Sequence, residues 1–134
     1  MDELKKIFQE YYTLNDIAGI LFWDNATYLP QNSSQSRSEQ LAVLSKLTDK
    51  TLRNNNLDSI IANIDINNLS KYDKKNFVLM REIISQENSV DPLLKEKLIR
   101  KKIQCEQAWR IAKEKNDISI VKEAFDDVLS LTIE

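Results

Sequence analysis

The 134-residue chain contains no histidine, one cysteine, one glycine and two prolines. Each shortage removes a class of chemistry or structure. Without imidazole there is no Ser–His or Cys–His dyad and no pair of ring nitrogens to hold a hydrolytic metal. Natural zinc sites draw on histidine or on several cysteines. The expected sets of catalytic, cofactor-binding and metal-ligating residues are therefore all none, and no cofactor is expected on this chain. Cys105 alone closes no internal disulfide. It falls on an apolar helical face with no base beside it, where a packed, unreactive thiol is expected. Scarce glycine and proline argue against sheets joined by tight turns and favour long helices with short connections. No apolar run approaches the ~20 residues that cross a bilayer. The start, Met1-Asp2-Glu3-Leu4-Lys5-Lys6, lacks the cationic-then-apolar order of a signal peptide. A cytoplasmic protein with no membrane partner is expected.

What is present is ordinary for a folded chain: 42% apolar and 30% charged residues, which argues against disorder. The length suits one domain over residues 1–134, burying roughly two-thirds of the surface its unfolded form exposes. Apolar residues recur at helical spacing from Leu4 through Ile7, Phe8, Tyr11, Leu14, Ile17, Ala18, Leu21 and Phe22, predicting a first helix over about 2–24. Gly19 interrupts that stripe and suggests a close helix crossing or a bend. Polar residues 25–34, with Pro30, read as a connector. Ser36 and Glu39 have capping-box spacing for a second helix that runs to about 53 through Leu41, Leu44, Leu47 and Leu52.

Asn54-Asn55-Asn56 breaks the pattern and supplies a cap for a short third helix carrying Leu57, Ile60, Ile61 and Ile64. Ser70 and Asp73 frame a fourth, with Leu69, Tyr72, Phe77, Met80, Ile83 and Ile84 as its buried candidates. Asp91-Pro92 starts a fifth that runs to about Lys115. Asn116-Asp117 breaks it before a sixth carrying Val121, Ala124, Phe125, Val128 and Leu129. The expected fold is all-α, a single array of about six helices.

Other chemistries weigh little against plainer readings. Asp126 and Asp127 point about 100° apart on a helix and share no pocket. Asp24 does not open a calcium loop, because the alternating ligands fail at Ala26 and Tyr28. The fifth helix carries eight cations against three anions between Lys95 and Lys115, an excess of five that leaves −7 elsewhere. Such a stripe beside Trp109 could follow a nucleic-acid backbone. With an overall formal charge of −2, a solvated face meeting acidic neighbours is the better expectation, and no nucleic acid is expected as a partner. Sequons at Asn25, Asn32 and Asn68 carry no weight without a secretion signal. Trp23 and Trp109 are expected to anchor the core.

Several spaced motifs, in order, carry a resemblance. Trp23-Asp24, Thr27 and Pro30 match a Trp-Asp-x-x-Thr-x-x-Pro segment. Arg37, Glu39-Gln40-Leu41-Ala42 and Leu44 match the helix after it. Arg81-Glu82-Ile83 matches a further helix, and Trp109, Ala112 and Asn116-Asp117 a later one, with Lys113 at a common arginine position. Together they resemble the N-terminal part of the Taq-type carboxypeptidases, helical zinc metallopeptidases that trim peptide C-termini. Departures are Gln31-Asn32-Ser33 where glycines are usual and Thr48-Asp49 in place of a His-Glu pair.

The resemblance implies a helical wall of a groove-bearing, typically dimeric enzyme whose zinc-binding H-E-x-x-H helix lies beyond the matched region. The chain ends at Glu134 before any such helix, so an N-terminal portion, inactive alone, is expected, whether a truncated gene product, a split-gene half or a degraded gene. Exposed apolar faces would then favour a complementary peptidase fragment or self-association. The alternative is a free-standing helical protein-interaction module.

Overall fold

The computed structural model describes residues 1–53 and 56–133, without the side chain of Gln31. Six α-helices form among them: α1 (Asp2–Thr27), α2 (Ser34–Leu52), α3 (Leu57–Ala62), α4 (Lys71–Asn88), α5 (Pro92–Lys115) and α6 (Ser119–Ile133). Single 3₁₀ turns occupy Gln31–Ser33 and Ile66–Asn68. No strand occurs among the described residues, and the fold is all-α. None of these helices is long and apolar enough to cross a membrane.

Local chemistry sets most helix ends. The Asp91 carboxylate accepts hydrogen bonds from the Leu93 and Leu94 N–H groups at 2.7 and 3.2 Å, and Pro92 follows where its missing N–H costs nothing. Ser70 Oγ accepts from the Asp73 N–H at 3.1 Å. At the end of α5, Asn116 turns left-handed with φ 50°. The Asp117 N–H donates to the Ala112 carbonyl and the Asn116 N–H to that of Lys113, at 2.9 and 3.3 Å. This is the Schellman closure, and asparagine tolerates it better than other residues bearing a Cβ. Asp117 then accepts from the Ser119 N–H and hydroxyl, which hold its carboxyl below the usual carboxylate range as α6 begins.

Two expected boundaries differ. First, α1 continues to Thr27 instead of stopping near 24, because Thr27 returns its hydroxyl to the Trp23 carbonyl at 2.7 Å. Tyr28 and Leu29 N–H groups both close on the Asp24 carbonyl before Pro30 ends the run. Second, α2 begins at Ser34, so Ser36 lies inside the helix and Glu39 contacts Arg100 instead of completing a capping box. Of the Asn54–Asn56 run, Asn56 directly precedes α3, where the break is expected; Asn54 and Asn55 lie outside the described residues.

The main core joins the first half of α1 to α3 and α4. Leu4, Phe8, Tyr11, Leu52, Leu57, Phe77 and Ile84 are buried together, with Ile60, Ile61, Ile64, Leu69, Met80 and Ile83 packed against them. The second half of α1 lies along α2, which packs on α5, which in turn carries α6. Tyr72 is a correction: it is 75% exposed. It stands five positions before Phe77, about 140° around the helix from the buried face.

Gly19 is another correction. A Cβ built there meets nothing within 4 Å, so no neighbouring helix approaches. Gly19→Ala is therefore expected to stabilise the protein by about 0.5–1 kcal/mol, since alanine fits the helix and loses less freedom on folding. Chemical denaturation measures this; a loss of stability would contradict the open surroundings.

Candidate functional site

Five side chains from four parts of the fold meet beside the main core. Asp49, on the last turn of α2, is buried although charged. Arg53 Nε approaches its Oδ2 at 2.6 Å and Lys95 Nζ its Oδ1 at 3.1 Å. Lys95 also donates to Glu87 Oε2 at 2.7 Å and to the Glu87 carbonyl at 2.6 Å. Arg53 Nη2 donates to the carbonyls of Glu87 and Val90, at 3.0 and 2.6 Å. Tyr11 donates its hydroxyl to Glu87 Oε1 at 3.1 Å. Burial first, then the neighbouring Glu87 charge, pushes the Tyr11 phenol up to about 12.

These contacts use all three ammonium protons of Lys95 and satisfy the loose carbonyls at the end of α4. The cluster fixes the end of α4 against α2 and the first turns of α5. Its cations and carboxylates are spent on each other, so it is suited to holding shape.

A cleft of about 320 Å³ opens beside the cluster, between α1, α2 and α5. Phe22, Leu41, Leu98 and Ile99 give it apolar walls; Asp49, Glu87 and Lys95 form its charged end.

A second polar stitch joins the end of α1 to α5. Asn25 is fully buried and donates its amide to Glu106 Oε2 at 2.7 Å. Arg110 donates to the Asn25 carbonyl at 2.7 Å and to Glu106 Oε1 at 2.6 Å. Nearby, Arg37 donates to the Leu21 carbonyl and pairs with Asp24 at 2.6 Å. Asn25 is therefore a packed helical residue, not part of the expected connector. Its amide nitrogen is also closed to glycosylation in the folded state.

The basic face of α5 meets acidic neighbours, as expected. Arg100 contacts Glu39 and Glu96, and Lys101 pairs with Asp127 at 2.7 Å. Asp126 and Asp127 are separated in role, since Asp126 makes no ion pair among the described residues while Asp127 holds Lys101. Asp24 is helical and paired with Arg37, as the rejection of a calcium loop requires. Cys105 is half-buried and borders a groove between α5 and α6. The tryptophans contradict their expected core role: Trp23 is 59% and Trp109 51% exposed. Helical spacing marks which face is apolar and carries nothing about what covers it.

The cluster of Asp49, Glu87 and Lys95 obeys no local period: Asp49 and Lys95 lie 46 residues apart, and Glu87 and Lys95 meet across the break between α4 and α5. A charged residue at an otherwise core-facing position of α2 was the one available signal. Among the described residues, no three His, Cys, Asp or Glu side chains converge to hold a metal ion. Compared with known families, residues 3–134 match the one described as Carboxypeptidase Taq (M32) metallopeptidase. No curated protein matches the chain.

Proposed function

This chain belongs to the Carboxypeptidase Taq (M32) metallopeptidase family, and from that membership we propose that its 134 residues form a helical wall of an enzyme that removes C-terminal residues from peptides. The family match over nearly the full sequence carries this reading. The wall supplies shape without the hydrolytic metal. A peptidase zinc needs three protein ligands and one open position. Here there is no histidine, the lone Cys105 borders an apolar groove, and the carboxylates best placed for chemistry are already neutralised by Arg53, Lys95 and Arg110. The donor set does not fit zinc, and no hydrolytic step is assigned to these residues. We place the protein's work in the cytoplasm, where an unpaired cysteine stays reduced.

The test is metal quantification with a C-terminal peptide-cleavage assay, on this chain alone and mixed with a family fragment bearing H-E-x-x-H. Substoichiometric zinc and no turnover by the chain alone are expected, with turnover from the mixture exceeding that of the fragment alone. Tightly held stoichiometric zinc, or cleavage by the 134 residues unaided, overturns the assignment. The second reading, a free-standing interaction module, draws support from the exposed groove between α5 and α6.

A further inference from the structure

The groove between α5 and α6 has a volume of about 690 Å³ and is walled mainly by Cys105, Trp109, Ile118, Val121 and Phe125. Ile118 is 78% and Phe125 56% exposed, and the same side of α6 continues through exposed Leu129 and Ile133. From Ile118 to Ile133 the stripe runs for about 22 Å at the helical rise. An apolar strip of that extent marks an interaction surface.

Its charges narrow the partner. Lys113 Nζ stands 5.4 Å from the Trp109 ring centre, and Lys122 lines the groove. Neither lysine forms an ion pair among the described residues. Glu106, the carboxylate in the wall, is already engaged by Arg110 at 2.6 Å and by Asn25 at 2.7 Å. Asp126 stands one turn beyond Lys122, about 40° around α6 from it, and makes no ion pair with it, so it offsets part of the positive charge along this rim.

We propose that this groove receives an amphipathic helix of about fifteen residues, from another protein, whose apolar stripe is flanked by carboxylates. A concave channel between two helices fits a rod better than a flat bilayer. A second copy fits less well: isologous pairing through this face would gather four ammonium groups, two Lys113 and two Lys122, against two Asp126 carboxylates. The surface can take such a helix whether or not the chain serves a peptidase.

The experiment uses the full chain with Trp23→Phe, leaving Trp109 as the fluorescent reporter. Two synthetic fifteen-residue peptides share one leucine stripe, flanked by glutamate in one and by lysine in the other. The glutamate peptide is expected to bind at least about tenfold more tightly at low salt, with a gap that narrows as salt screens the lysines. Trp109 emission should shift on binding. The exposed substitution Lys122→Glu should reverse or abolish the preference while leaving the circular dichroism unchanged, and Phe125→Ala should weaken both peptides. Equal affinity for the two peptides overturns the proposal, as does failure of both to bind. So does sedimentation showing a dimer that the glutamate peptide cannot displace, or anionic vesicles that shift Trp109 emission while the peptide does not.

Discussion

Replacing Asp49 with leucine lowers the unfolding free energy by about 3 kcal/mol, measured by denaturant titration. The loss comes from the partners left behind more than from the missing carboxylate. Lys95 and Arg53 are both mostly buried, and without Asp49 they keep only Glu87 and the carbonyls of Glu87 and Val90. A buried charge stripped of part of its compensation costs far more than an exposed pair gains. Removing Lys101 from Asp127, where both side chains are more than a third exposed, therefore changes stability by only roughly 0–1 kcal/mol. Combining Asp49→Leu with Lys95→Met should recover part of the loss, because it removes one orphaned cation. A full double-mutant cycle gives the coupling energy directly. If Asp49→Leu unfolds at the same denaturant concentration as the parent, Asp49 is solvated and the cluster does not hold these helices together.

Phe8→Ala should cost about 3–5 kcal/mol. Phe8 is almost wholly buried where α1, α3 and α4 converge, and its ring lies 5.7 Å from that of Tyr11. Truncation removes apolar contacts and leaves a void that α3, six residues long, has little structure of its own to refill. Phe8→Leu keeps most of the volume and should lose much less. The same change at exposed Phe125 should leave stability nearly untouched. Equal effects at positions 8 and 125 would mean that the main core lies elsewhere.

Much of the fold is legible in the sequence because its determinants are local. Ser70, Asp91 and Asn116 reveal helix ends through hydrogen bonds made within a few residues, and the structure uses all three. The stripe from Leu4 to Tyr11 was legible for the same reason. Asn25 misleads, because an asparagine among polar neighbours looks like loop, yet a partner 81 residues away makes its burial tolerable. Trp23 and Trp109 mislead in the opposite sense. Their apolar character was plain, but whether anything covers them depends on neighbouring surfaces. The lack of histidine needed only counting, whereas the meeting of Asp49, Glu87 and Lys95 needed three helix axes to be placed first.

The way α6 is attached has a mechanical consequence. Its one extensive contact among the described residues is with α5, and Val121 is its one buried side chain. Little else must break for it to swing away, so α6 behaves as a hinged leaf whose detachment costs much less than global unfolding. Its amides should exchange with solvent on their own schedule, ahead of the spine formed by α1, α2 and α5. A molecule clamped across the hinge would slow that exchange without reshaping the rest of the protein.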